Sequence, residues 1–225
     1  MPIVNYIIIA ANVAAYIYEV SLGADLERFI KEVAVVPAEY IGFLSGYNVP
    51  LQKLLTAPFA SMFLHGGFLH LIGNMWFLYI FGDNVEDRMG HLRYFLFYLF
   101  CGLAATAAHI LISPTSPIPI IGASGAISGV LGAYLALFPR ASILTLVFFF
   151  YFFEIVEIPA LVYLGLWFVI QLNSGILQTL LSPSEVQGGV AWWAHIGGFV
   201  AGLVLQRLFR EEPRAPRYKE LFYPF

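Results

Sequence analysis

The sequence predicts an all-α, polytopic membrane protein, six transmembrane helices with a partly embedded first loop. Three observations predict it. Of the 225 residues, 60% are hydrophobic and 11% charged, where soluble domains run at about half and a quarter. Several apolar runs reach the ~20 residues that a helix rising ~1.5 Å per residue needs to cross ~30 Å of hydrocarbon. The lysines and arginines also fall unevenly on the two sides of those runs. With the N-terminus inside, Arg88, Arg93, Arg140, Arg207, Arg210, Arg214, Arg217 and Lys219 share its side, and Arg28, Lys31 and Lys53 lie on the other. Such a bias sets orientation and predicts cytoplasmic termini.

The first span covers 3–21. It follows Met1 almost directly, is too long for a signal-peptide apolar core and lacks a convincing cleavage site, so no cleavable leader is expected. Residues 22–59 mix polar and apolar positions, too long for a turn and too apolar for a loose linker; a loop of that kind is usually functional and is expected partly in the membrane interface. Further spans are expected at 60–82, 92–112, 123–139, 158–181 and 192–210. Residues 1–210 form one membrane domain, and 211–225 a short cytoplasmic tail. The run 141–157, "ASILTLVFFFYFFEIVE", is short of a span and ends in Glu154 and Glu157 before Pro159. If the openings of 123–139 and 192–210 lie on the same side, only one crossing fits between them. Residues 141–157 are therefore expected to be interfacial or partly embedded.

Ionisable residues within a membrane are costly and suggest function. Five histidines occur: His65, His70, His91, His109 and His195. His91 reads as solvated, in a charged inner loop, and His109 has no evident partner. His195 lies in "AHIGGFVAG", where Gly198 and Gly202 follow on the same helical face. Ser124 opens an apolar run in "GASGAISGVLG", beside a second stripe of Gly125, Gly129 and Gly132. Small-xxx-small faces let two backbones approach closely, which would bring a serine hydroxyl to an imidazole able to accept its proton. Ser124 alone also reads as a helix cap. His70 and Asn74, four apart in "HLIGN", share a face near the same end; both donate hydrogen bonds, and the unpaired Ser124 amide adds a third donor. The run from Ala123 to Phe138 gives roughly 24 Å of helix, which sets the serine below the outer surface.

Taken together, "GASG", "HLIGN", "AHIGGFVAG" and the inner "VEDRMG" resemble the rhomboid intramembrane serine proteases, in order and spacing, over about residues 1–210. The resemblance implies a rhomboid-like six-helix bundle cleaving transmembrane segments of other proteins near the outer membrane face. It implies Ser124 as nucleophile and His195 as general base, a dyad without a carboxylate. His70, Asn74 and the Ser124 amide would form the oxyanion hole, and His65 a neighbouring polar contact. It further implies that 22–59 is a half-embedded loop, that 182–191 caps the site beside a gating fifth helix, and that a small residue precedes the cut. Two departures stand out. The Trp-Arg pair of many members is replaced by "LQKLL", and Ser128 stands where some members stack an aromatic on the histidine, so His195 is held differently.

The single Cys101 excludes a disulfide framework and a cysteine metal site, and no cofactor or metal is expected. The partners are transmembrane substrates and the lipid bilayer, with no nucleic acid; nothing speaks to oligomeric state. The expected location is a bacterial or archaeal cell membrane, the site opening outward. On sequence alone three rivals stay open: a non-proteolytic relative of the same fold that binds membrane clients, a small transporter, and a zinc protease. His65 and His70 fit the last poorly, being five apart without the intervening Glu of a zinc helix.

Overall fold

The computed structural model describes residues 1–149, 152–181 and 190–211. The tail expected over 211–225 and the cap expected over 182–191 lie outside the described residues except for Val190, Ala191 and Glu211.

Helix α1 (Ile3–Ser21) buries Asn5, Ile8, Asn12 and Glu19 while Ile7, Ile17 and Val20 are exposed. Asn5, Asn12 and Glu19 recur every seven residues and so share a face. A helix in water buries its apolar face; one in lipid turns its polar groups inward, where they find partners. Asn5 donates to the Leu78 carbonyl at 3.0 Å and accepts from the Tyr94 hydroxyl at 2.8 Å.

Three short helices fill the first loop: α2 (Leu26–Val33), α3 (Pro37–Leu44) and α4 (Leu51–Ala60). Lys53, within "LQKLL", ties them together through the Lys31 carbonyl at 2.7 Å and the Glu39 carboxylate. The loop thus has an anchor of its own in place of the absent Trp-Arg pair. The Tyr40 hydroxyl donates to the Leu54 carbonyl at 2.9 Å. Burial, with Glu39 adding to it, pushes the Tyr40 phenol up to about 12, so it remains a donor.

The span expected over 60–82 is broken. A 3₁₀ turn at Ser61–Phe63 follows α4, and α5 (Phe68–Met89) restarts at an angle of 81° to it. Gly66 and Gly67 sit at the break, where each costs a helix about 1 kcal/mol relative to alanine. The charged stretch "GDNVEDRM" continues α5 as helix until Gly90, whose φ of +76° ends it. The remaining elements are α6 (His91–Ile112), α7 (Ser124–Leu137), β1 (Ser142–Phe149), β2 (Phe152–Pro159), α8 (Ala160–Leu180) and α9 (Trp192–Phe209).

Helix α7 is the centre of an all-α, polytopic bundle, enclosed by α5, α6 and α9. It is buried without interruption from Gly125 to Tyr134. By length and composition α1, α6 and α8 can each cross a membrane, and the bent α4–α5 pair adds a fourth crossing. Being wrapped by other helices, α7 needs no lipid-facing surface, and its 14 residues are short for a span. Helix α9 carries His195, Gln206 and Arg207 among its apolar residues.

The glycine stripes meet. A methyl group on Gly198 would overlap the Gly125 carbonyl oxygen, one on Gly202 the Gly129 carbonyl oxygen, and one on Gly132 the Phe199 carbonyl oxygen. Only positions without a Cβ permit that backbone-to-backbone approach of α7 and α9.

β1 and β2 are the only strands among the described residues and pair antiparallel, from Ser142 opposite Pro159 to Phe149 opposite Phe152. β-branched and aromatic residues dominate them, as suits extended backbone. Leu144, Phe148, Phe153 and Ile155 are exposed. Helix α8 follows β2 directly and is, among the described residues, the one helix between α7 and α9.

Candidate active site

The loop before Ser124 is fixed by two backbone contacts. The Ile120 N–H donates to the Val35 carbonyl at 2.8 Å, and the Gly122 N–H to the Ser61 carbonyl at 2.9 Å. The Ser61 hydroxyl in turn accepts the Val35 N–H at 2.9 Å. The first loop, the turn after α4 and the approach to α7 are therefore one hydrogen-bonded unit. Gly122 has φ +124°, a region that side chains rarely adopt, and a Cβ there would lie 2.9 Å from Nε2 and Cε1 of His70. The glycine lets the His70 ring lie beside Ser124, whose Oγ is 3.4 Å from the same point.

Ser124 does not cap α7. Ala123 holds the cap position with no side-chain bond, and Ser124 is the first helical residue. Its Oγ instead lies 2.8 Å from Nε2 of His195, which sits in the first turn of α9. Both helices start at this end of the bundle and run parallel. The backbone N–H of Ser124, in the first turn of its helix, has no partner within the helix.

Asn74 and His65 form a second pair. The His65 Nδ1 lies 3.3 Å from the Phe63 carbonyl, and its Nε2 lies 3.0 Å from Asn74 Nδ2. With the proton on Nδ1, bonded to the carbonyl, Nε2 accepts one of the Asn74 amide hydrogens. The His65 backbone N–H donates to the buried Glu19 carboxylate at 3.1 Å. His65 and His70 meet edge to face with ring centroids 5.2 Å apart.

Ser128 is bonded within its own helix, its hydroxyl donating to the Ser124 carbonyl at 2.6 Å. The rings near His195 come from elsewhere: Trp167, 6.1 Å away and tilted by 30°, and Trp192, 6.2 Å away and edge-on. The far ring nitrogen of His195, Nδ1, lies 2.8 Å from the amide oxygen of Gln171. Neither Trp167 nor Gln171 figures among the residues expected from the sequence. Their signal is there in "WFVIQ", an aromatic and an amide four apart on one face of an apolar helix.

The other histidines behave differently. His91 is bonded through Nδ1 to Glu86 at 2.5 Å, so it is not simply solvated as the sequence suggested. His109 is buried, and its Nδ1 has no hydrogen-bond partner among the described residues. No three His, Cys, Asp or Glu side chains among the described residues are grouped to hold a metal.

A cavity of about 320 Å³ opens onto Ser124 and His195. Leu69, Phe77, Leu131 and Trp167 make it largely apolar, while His70, Asn74 and Gln171 supply polar groups. An apolar cleft with a few convergent polar groups suits an extended, mostly apolar peptide segment.

Comparison with known proteins fits this geometry. A family model described as Rhomboid domain matches residues 52–212. The chain is 28% identical over 209 residues to Rhomboid-like protein 11, chloroplastic, of Arabidopsis thaliana, covering 91% of this chain and 68% of that one. It is 33% identical to Rhomboid protein 1, mitochondrial, of Saccharomyces cerevisiae, over 72% of this chain and 45% of the yeast protein. Putative rhomboid protease YdcA of Bacillus subtilis is 31% identical over 41% of this chain and 46% of its own length. The chain thus spans about two thirds of the first relative and under half of the other two. Over most of its length, and through the whole of the site just described, this chain belongs to the rhomboid family of multi-pass membrane proteins.

Proposed function

We propose that the protein is an intramembrane serine endopeptidase that cleaves transmembrane segments of other membrane proteins through Ser124 and His195. One observation carries the reading: the 2.8 Å contact between Ser124 Oγ and His195 Nε2 at the mouth of an apolar cavity. A serine hydroxyl becomes a competent nucleophile when a positioned base takes its proton. In the forward step the Ser124 oxygen bonds to the substrate carbonyl carbon and its proton passes to His195 Nε2. The developing oxyanion faces the Ser124 amide, the Asn74 amide group and His70. Collapse breaks the C–N bond as His195 returns the proton to the leaving amine, and water then releases the acyl group by the same path.

A helical substrate shields its peptide bonds, so the preferred segment carries Gly, Pro or polar residues that let it unwind beside the cavity, with a small residue before the cut. The charges support an outward-opening site in a cell membrane with cytoplasmic termini. Arg88, Arg140 and Arg207 lie at or just beyond the ends of α5, α7 and α9 away from Ser124 and His195. The test is purified protein in liposomes with a model transmembrane substrate and a fluorophosphonate probe. Wild type is expected to cleave and to label; Ser124→Ala and His195→Ala should do neither. Undiminished cleavage by Ser124→Ala would falsify the assignment, and a wild type inert to both would mark a client-binding relative instead.

A further inference from the structure

The reading of Ser124 and His195 as nucleophile and base leaves one chemical requirement open, and the inference below rests on that reading. An imidazole carries one proton when neutral. To accept from Ser124 at Nε2, His195 must hold that proton on Nδ1, and the partner at Nδ1 decides whether it does. In the soluble serine hydrolases that partner is a carboxylate. Here it is the amide oxygen of Gln171, 2.8 Å away on α8.

We propose that Gln171 is the positioning residue of the hydrolytic site: its Oε1 accepts the Nδ1 proton of His195, fixes the reactive tautomer and faces the imidazolium that forms when Ser124 attacks. The placement is selective. Helix α8 fully buries only Ala160, Leu164, Gln171 and Gly175, so Gln171 is the single polar residue it buries. Among the described residues, the other ionisable side chains that bear on His195 are His70 of α5 and His109 of α6, and neither brings negative charge. The amide dipole of Gln171 is therefore the counterpart of the positive ring. A carboxylate would do this more strongly but would carry a buried charge into the membrane through every idle cycle, at a heavy desolvation cost. A neutral amide avoids that. Orientation follows from the chemistry: were the Gln171 NH₂ to face Nδ1 it would donate there, move the imidazole proton to Nε2 and leave the serine hydroxyl without an acceptor. The same contact ties α8 to α9, so the base is aligned only while α8 stays packed.

The experiment compares Gln171→Met, which keeps the shape and loses the acceptor, with Gln171→Glu, which keeps an oxygen acceptor whether or not it is ionised. Each is assayed in liposomes for kcat, KM, fluorophosphonate labelling rate and thermal unfolding, beside wild type and Ser124→Ala. Gln171→Met is expected to lower kcat and labelling rate about 10- to 100-fold, the worth of one hydrogen bond to a charged group. Its KM should change less than about threefold and its unfolding temperature little. Gln171→Glu should stay within about fivefold of wild type. Wild-type kcat in Gln171→Met, or an equal loss in both variants with folding intact, overturns the proposal while Ser124→Ala still reports on the nucleophile. Should Gln171→Met fail to fold, Gln171→Asn replaces it. Its amide falls a methylene short of Nδ1, and activity equal to that of Gln171→Glu overturns the proposal.

Discussion

Ser124 Oγ and His195 Nε2 stand 2.8 Å apart although 71 positions separate them in the chain. What closes that distance lies further down the two helices, where Gly198 abuts the Gly125 carbonyl and Gly202 the Gly129 carbonyl. A side chain at either position must push α9 off α7, and the push is transmitted to the Ser124–His195 contact because both residues sit in the first turns of those helices.

Gly202→Ala should therefore destabilise the protein by about 1–3 kcal/mol, the usual cost of overpacking, and should abolish most fluorophosphonate labelling. Gly165 on α8 is the control, since a Cβ there meets nothing within 4 Å. Gly165→Ala should leave labelling unchanged, and its unfolding temperature should hold or rise, alanine being the better helix former. Equal behaviour of the two variants would refute the packing account.

Gly122 makes a different demand. Its φ of +124° is strained for any side chain, and a Cβ would press on the His70 ring at 2.9 Å. Gly122→Ala should fold, because the strain falls on one loop, but lose at least about tenfold in kcat as His70 and the Ser124 amide shift. Melting curves and turnover measured on the same preparation separate the two effects.

On the proposed function, Asn74 and His65 act in series. Removing one oxyanion donor costs on the order of 10²–10³ in rate, so Asn74→Ala should reduce kcat by that factor with KM nearly unchanged. His65→Ala leaves the Asn74 amide in place and removes only the acceptor that orients it. Its loss should be smaller, and Asn74→Ala/His65→Ala should fall no further than Asn74→Ala. Additive losses in that double-mutant cycle would show that His65 acts independently.

Much of this was legible in the chain, and the reasons are physical. Hydrocarbon demands long apolar helices, so α1, α6 and α8 begin and end within two residues of the expected limits. Backbone-to-backbone helix contacts demand glycine, so the stripes that bring Ser124 to His195 can be read directly. The pairing of β1 with β2 could not be, because a short run of Ile, Val, Leu and Phe has no periodicity that separates strand from buried helix. The break between α4 and α5 depends on two glycines whose cost is small against a long apolar run. Gln171 is hidden because its partner lies 24 positions away on another helix. With Ser128 in place of an aromatic, the rings beside His195 are Trp167 and Trp192, whose chain distance from Ser124 hides them.

The far end of the bundle has its own anchor, and it gives a prediction separable from catalysis. Glu86 is buried near the end of α5, where its carboxylate accepts the Val4 N–H at 3.0 Å, the Asn5 N–H at 2.7 Å and a bond from His91 at 2.5 Å. Val4 and Asn5 lie in the first turn of α1, where backbone amides have no partner inside the helix and favour a negative charge. Glu86→Ala leaves both amides without their acceptor, at about 1–3 kcal/mol for the buried Asn5 amide and less for the half-buried Val4 amide. The protein should lose roughly 2–4 kcal/mol of stability, read as a lower unfolding temperature in detergent. Twelve residues, or about 18 Å of helix, separate Glu86 from Asn74, so the fraction that remains folded should label with a fluorophosphonate at the wild-type rate. A slowed rate per folded molecule would mean instead that α1 docking reaches the active site.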